Sequence, residues 1–331
     1  MTLRNNIFRI LYSLGYGNYL LYKNRKKSKI PVLVFHKVIP ETDSVWPGIH
    51  PKLFEEIILL LKKHYTIFPL NDLTTKKTSE LKNACFITFD DGYKDFLDYA
   101  YPILKKHQVP SALFILPNDI TNNGHIWTST IIFFIKHYSF DEIDAFFKQN
   151  QLNINYVDVF NDFQLNLDIT KRLSELQQSE RCLIIQNLQK KFIKDAKIIE
   201  HELLNFEELK LLNPELVSIN SHSLTHPCFL QEKNELFIEH ELSESKNIIE
   251  QELKIKVNAF AFPFAKLNKI SHRISKKHYG FCFTKINDFV YLKKRDNDDS
   301  YRFDMARFNV HQDTAQEVFF LINGFHSKFK K

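Results

Sequence analysis

Two carboxylates and two imidazoles stand where chemistry can be done. Asp90 and Asp91 close the run Cys-Phe-Ile-Thr-Phe-Asp-Asp-Gly-Tyr at 85–93. Side chains alternate along a strand, so adjacent residues ordinarily point apart. At a strand's end, with Gly92 free to turn the backbone, both carboxylates can flank one point. One would then hold a metal while the other takes a proton from water. The bland alternative is a solvated turn, because Asp-Gly is common turn chemistry. Far downstream, 217–227 read Val-Ser-Ile-Asn-Ser-His-Ser-Leu-Thr-His-Pro. His222 and His226 stand at i, i+4, which is one face of the segment if it turns helically. Two histidines and one aspartate make a three-ligand set that leaves metal positions open for water and substrate. Taken alone, the pair reads as readily as ordinary surface or core histidines.

These groups must be positioned, and the surrounding chain says how. Residues 85–89 form a short apolar run rich in aromatic and β-branched side chains, the pattern of a buried strand. Residues 217–219 are a second such run. Both chemical motifs therefore follow directly on a strand, where parallel α/β proteins gather catalytic groups. Strands are also expected at 32–38, with His36 near the end, and at 65–68, 111–116, 259–262, 280–284 and 307–310. Helices are expected at 53–64 after Pro51, at 95–107 with Pro102 starting a second helix, and at 236–253, 270–278 and 314–325. The Glu/Lys pattern of 236–253 suits a solvated outer face. Strand and helix alternate, which argues for a parallel α/β arrangement. Residues 128–213 break that rhythm with helical stretches at 131–137, 140–149, 169–176 and 180–194. They read as a helical insertion between two strands, of the kind that shapes a groove or a partner surface. Trp127, at its entrance, fits a sugar-stacking platform and a packing role equally well.

Composition sets bounds. The chain has 331 residues, 44% hydrophobic and 25% charged, so it is globular and large enough for one α/β domain. The net charge of +6 and pI near 8.9 come from interspersed acids and bases, which does not argue for nucleic acid. Residues 1–30 hold Arg4, Arg9, Lys23, Arg25, Lys26, Lys27 and Lys29 and no acid. Ile7, Ile10, Leu11 and Leu14 make a short apolar stripe there. The segment is too short and broken to span a bilayer and has no convincing cleavage site. It fits peripheral contact with an anionic membrane surface, or a helix packed on the body of the protein. A cytoplasmic location, or one peripheral to the inner membrane face, is the corresponding expectation. Cys85, Cys182, Cys228 and Cys282 show neither metal spacing nor a disulfide framework. Cys85 and Cys282 sit in apolar runs as core residues.

Thr-Phe-Asp-Asp-Gly followed downstream by Ser-His-Ser-Leu-Thr-His-Pro resembles the polysaccharide deacetylase family, carbohydrate esterase family 4. The resemblance covers about residues 30–312 and is weakest between about 128 and 205. It implies a distorted (β/α) barrel formed by 31–127 and 206–312, with the helical insertion at 128–205, a basic helix or linker at 1–30 and a C-terminal helix at 313–331. It implies a divalent metal on Asp91, His222 and His226, with Asp90 as general base. Zinc is the default for such a site, and cobalt, nickel or iron can also bind it. The early strand–histidine resembles a permuted arrangement that implies His36 as the acid protonating a departing amine. A backbone N–H near Phe264, beside Pro263, would stabilise an oxyanion. The implied substrate is an N-acetylated sugar of a surface polysaccharide, lipopolysaccharide or glycolipid precursor. Two departures stand out. The family's Arg-x-Pro-Tyr motif reads Ala261-Phe262-Pro263-Phe264 here, so its base-orienting arginine is absent. The Asp and Trp motif that tunes the histidine acid is not recognisable. Arg307, at a strand end, is the candidate replacement for the missing arginine.

Overall fold

The computed structural model describes residues 3–122, 125–152, 161–193 and 201–325. Apolar runs along the chain become parallel strands that close on themselves. They are β1 (Val32–Phe35), β2 (Ala84–Phe89), β3 (Ser111–Ile115), β4 (Val217–Ser221), β5 (Ala259–Ala261), β6 (Phe281–Ile286) and β7 (Met305–Asn309). Each pairs with the next in sequence, and β7 returns to β1 through Phe308↔Leu33 and Asn309↔Val34. The closed ring is a (β/α) barrel, and its distortion is visible in the ladder. β4 and β5 share only the pair Ser221↔Phe260, and β7 shifts register against β6 between Met305 and Ala306. The short strand Thr66–Ile67 pairs only with the start of β2.

Strands covered on both faces read as continuous apolar runs. All six residues of β2 are buried. Alternation still sorts them. Val32, Ala84, Phe86, Ala112, Phe114, Ala259, Ala261, Phe281, Phe283 and Met305 form the cluster inside the ring. Leu33, Phe35, Cys85, Ile87, Phe89, Leu113, Phe260, Cys282 and Phe308 face outward into the larger core beneath the helices. Those helices include Pro51–His64, Tyr101–His107, Glu235–Leu253, Lys269–His278 and Ala315–Leu321. Burying one such Phe or Leu contributes roughly 1.5–3 kcal/mol.

Between β3 and β4 the helices Trp127–His137, Phe140–Gln149, Asp162–Ser174 and Gln178–Leu188 form a layer with its own core. Phe134 sits at its centre, its ring 5.8 Å from that of Phe146 and 4.6 Å from that of Phe192. Val45, from the loop after β1, belongs to the same cluster, and its carbonyl accepts from Asn166 Nδ2 at 3.2 Å. This layer is therefore tied to the top of β1. The helix expected at 180–194 ends in a π-helical turn at Gln189–Ile193, and Lys194 lies outside the described residues. The closing helix is shorter than expected, and 326–331 also lie outside them.

The N-terminal segment is a pair of helices, Leu3–Ser13 and Tyr16–Lys26. Phe8 packs against Phe320, with ring centres 5.4 Å apart, and Leu20 joins that cluster. Of the stripe singled out in the sequence, Leu11 packs against this cluster, whereas Ile7, Ile10 and Leu14 are 48%, 57% and 75% exposed. Among the described residues no helix is long and apolar enough to cross a membrane.

Candidate active site

Strand parity places most of the site. Ala84 and Phe86 face the ring interior, and Thr88 and Asp90 continue that face to the end of β2. Val32 and Val34 lead in the same way to His36, and Met305 leads to Arg307. The strands are parallel, so these groups meet at one end of the barrel, the usual seat of barrel chemistry. Arg307 spans the interior. Its guanidinium lies 5.3 Å from the Phe114 ring centre and 5.1 Å from that of Phe283. Its Nη1 and Nη2 donate to Asp90 Oδ1 and Oδ2, each at 2.7 Å, and Nη1 also reaches Thr88 Oγ at 3.2 Å. Burial opposes ionisation of Asp90, but the Arg307 guanidinium prevails and holds its carboxyl well below the usual range.

Asp91 would point away from Asp90 in a regular strand. Instead the backbone is left-handed at Asp91 (φ 72°) and again at Gly92 (φ 79°), which swings the second carboxylate back over the ring. A non-glycine residue with this φ is strained, and such strain gathers at functional sites. Gly92 is required for space as well, since a Cβ there would meet Ile115 Cγ2 at 2.9 Å.

The histidine segment is not the helical turn suggested by its spacing. It leaves β4 through a bend with φ 81° at Ser223 and 55° at His226. Ser223 Oγ accepts from the His226 N–H at 3.1 Å. Glu241 clamps the loop, Oε2 accepting from the N–H groups of Leu224 and Thr225 at 2.9 and 3.0 Å. Glu241 is 1% exposed, so the helix read as solvated buries a carboxylate that shapes the site.

Asp91, His222 and His226 offer ligand atoms that all lie within 4.8 Å of one another. Asp91 Oδ1 is 3.5 Å from Nε2 of both histidines. Two ligand atoms on one tetrahedral zinc-sized ion stand roughly 3.3 Å apart, given metal–ligand bonds near 2.05 Å. His222 Nδ1 bonds to the Ala261 carbonyl at 2.8 Å, which turns a lone pair at Nε2 toward the site. Asp91 Oδ1 is buried with no hydrogen-bond partner. Burial, and then the Asp90 charge, push the Asp91 carboxyl up to about 8. Burial, and then His222, push the His226 imidazole far down. A crowded, dry set of one oxygen and two nitrogen donors fits a divalent cation.

One pocket collects His36, Asp90, Asp91, His222, His226, Phe264 and Arg307. Burial pushes His36 down to about 4, with Asp90 opposing the shift. Phe264 has a left-handed backbone (φ 58°), and its ring centre stands 4.7 Å from that of His226. Pro263 is buried and Trp127 lies elsewhere; neither lines this pocket. Trp127 instead lines the neighbouring cavity, its Nε1 donating to the His226 carbonyl at 3.0 Å. Sequence reasoning missed Trp46, Asn166, Leu167 and Thr170, which wall the pocket from the loop after β1 and from the helical layer. Only Trp46 carried a signal, as a large aromatic residue in a loop following a strand-end histidine.

Comparison with known proteins agrees with this geometry. A family model described as polysaccharide deacetylase matches residues 77–151 and 184–280. YxkH of Bacillus subtilis (strain 168) is 29% identical over 113 residues, 31% of this chain and 38% of that protein. The alignment thus spans less than two thirds of that curated relative. The structure of the Streptococcus pyogenes deacetylase PplD in complex with acetate is similar at a TM-score of 0.58, with 15% identity over 89% of this chain and 98% of that one. IcaB from Ammonifex degensii gives 0.57, with 14% identity over 89% and 97%. At these identities the structures show the fold. The matched segments hold Asp90, Asp91, His222 and His226, with His36 and Arg307 outside them, and span more than half of the sequence: the chain belongs to the polysaccharide deacetylase family.

Proposed function

We propose that this protein is a metal-dependent hydrolase that removes N-acetyl groups from amino sugars of a surface glycan or its lipid-linked precursor. The observation that carries the reading is the convergence of the Asp91/His222/His226 donor set with the Arg307-held carboxylate of Asp90 in one pocket. When bound, a divalent ion, zinc by default, supplies polarisation of the acetamide carbonyl and lowers the pKa of water. Asp90 takes the proton of the attacking water, its orientation fixed by Arg307. A backbone N–H near Phe264, which lines the pocket, would donate to the developing oxyanion, a contribution of about 3 kcal/mol for one donor. The free protein carries His36 neutral at pH 7, so it protonates the amine only after loading a proton during turnover. Water adds to the carbonyl carbon, the C–N bond breaks, and acetate and a free amino sugar leave.

The test begins with metal. The purified protein should hold about one zinc or cobalt ion per chain after reconstitution, and His222→Ala should hold none. The loaded protein should then release acetate from N-acetylated glycans. Absence of metal in the native protein would sink the mechanism and favour a glycan-binding module. Acetate-free turnover of another amide would redirect the substrate.

The N-terminal pair of helices carries basic residues and no acidic one. We assign it contact with an anionic membrane surface, supported by the outward Ile7, Ile10 and Leu14 and by an acid-free segment containing Lys23, Lys26 and Lys27. Ile7→Ser with Ile10→Ser and Leu14→Ser should abolish co-sedimentation with phosphatidylglycerol vesicles and leave acetate release intact. Unchanged sedimentation refutes the assignment.

A further inference from the structure

A second cavity of about 310 Å³ lies beside the catalytic pocket, between the helices Trp127–His137 and Gln178–Leu188. Its walls include Trp127, Gln178, Gln186, Gln189, Asp119 and Arg181. Arg181 is the unusual member. It is 2% exposed, and its guanidinium carbon lies 4.9 Å from the centre of the Trp127 ring. Its Nη2 donates to Gln178 Oε1, a neutral acceptor. Among the described residues no carboxylate forms an ion pair with it. Glu241 and Glu232 act on it only at a distance. Both are committed elsewhere, Glu241 to the loop N–H groups and Glu232 to the N–H groups of Lys233 and Asn234.

An arginine cannot shed its proton at neutral pH. A buried guanidinium without an anion is costly, and cation–π contact with one indole recovers only part of that cost. An anion in the open space beside it offsets the rest. The cavity is near the lower end of small-molecule pockets, which run from about 300 to 1,000 Å³, and suits a single sugar ring. Three glutamines supply donors and acceptors for hydroxyl groups.

We propose that this cavity binds an acidic sugar, with its carboxylate or phosphate on Arg181 and its hydroxyls on the glutamine side chains. The site adjoins the catalytic pocket through Trp127, which bonds to the His226 carbonyl and stands 6.0 Å from Phe264, ring centre to ring centre. An acidic sugar there sits next to the metal loop. The proposal rests on the deacetylase reading only in making that sugar part of the same glycan as the acetamide; binding itself is independent of it.

The test is calorimetric titration of the full chain, in phosphate-free buffer, with D-glucuronate, inorganic phosphate and D-glucose. Glucuronate, phosphate or both should bind the native protein with a Kd of about 1–10 mM, and glucose should not. Stronger binding of glucuronate assigns a uronic acid, and stronger binding of phosphate a phosphorylated sugar. Arg181→Met should weaken binding at least tenfold. Its thermal midpoint should not fall, because an unbranched apolar side chain replaces a buried charge that no carboxylate pairs. Arg181→Lys keeps the charge, loses the planar fork and should bind at intermediate strength; it carries the test if the methionine variant does not fold. His222→Ala should bind as the native protein does, which separates this site from the metal centre. No binding at tens of millimolar, equal binding by the native protein and the Arg181 variants, or loss of binding in His222→Ala would each overturn the proposal.

Discussion

Replacing Arg307 by methionine keeps an unbranched apolar stem but shortens the side chain, withdraws the guanidinium from between the Phe114 and Phe283 rings and removes both hydrogen bonds to Asp90. At an effective dielectric of about 20, unit charges about 4 Å apart attract by roughly 4 kcal/mol, which equals about three pKa units on the carboxylate. In the native protein burial opposes ionisation of Asp90, but Arg307 outweighs it and the pKa is depressed. The stability from this pair is therefore complete above the ordinary carboxylate value of about 3.9 and is lost only as pH falls below it. In the variant burial acts alone and the pKa rises instead. Folding is then penalised increasingly as pH climbs above about 4, because the unfolded carboxyl ionises while the buried, unpaired one stays protonated. At pH 8 the expected deficit is about 3–5 kcal/mol, and it should shrink toward pH 5. Acetate release at pH 7 should fall at least 100-fold and should recover up to about tenfold per pH unit on the rising limb, as Asp90 regains its role as base. Arg302→Ala is the control. Arg302 is a half-exposed residue 3.5 Å from Asp299, and its loss should change stability by less than about 0.5 kcal/mol. The assays are denaturant unfolding and acetate release across pH on the same preparations. Equal losses at Arg307 and Arg302, or an Arg307→Met deficit that does not grow with pH, refute the reasoning.

Other perturbations address the supports of the site. Gly92→Ala places a methyl group 2.9 Å from Ile115 Cγ2 at φ 79° and should cost about 1–3 kcal/mol, with weaker metal retention measured by dialysis against chelator. Glu241→Gln loses one of the acceptor oxygens that hold the His222–His226 loop, so metal affinity should drop about 10–100-fold while the far-ultraviolet circular dichroism stays native. Asp43 is held down at about 2: burial opposes, but the Trp46 N–H, Lys37 and Lys136 prevail. Its contribution, about 1–2 kcal/mol after allowance for partial exposure, is present above pH 4 and fades between pH 4 and 2. Asp43→Asn should therefore lower the thermal midpoint at pH 6, and the native protein and variant should converge only below about pH 2. A gap that persists there means that the side chain acts through packing.

The strands, the chemical motifs and much of their convergence are legible in the residue order. Continuous apolar runs bounded by turn residues are legible because both faces of a barrel strand are buried. Parity then carries Ala84, Phe86, Thr88 and Asp90 to one face, and Val32, Val34 and His36 to the same interior. The strand-end histidine and the absence of an arginine at Ala261 were visible as residue types at their positions. Even Arg307 could be singled out, from its place at a strand end. Tertiary structure decided what depends on groups distant in sequence. Only the closed ring brings Arg307 across to Asp90, since β7 and β2 are each hydrogen-bonded to β1 and not to each other. Left-handed turns at Asp91, Ser223 and His226 are held by surrounding contacts that no local propensity announces for these residue types. Glu241 sits in a helix whose charge pattern reads as solvated, and only the packed loop beneath it explains its burial. Trp127, equally a sugar platform or a packing residue from sequence, stands outside the metal pocket against Arg181. Local pattern reports which side of an element faces the core. Which groups meet inside depends on how the ring closes and how the helical layer lies over it, and that is set by contacts between residues far apart along the chain.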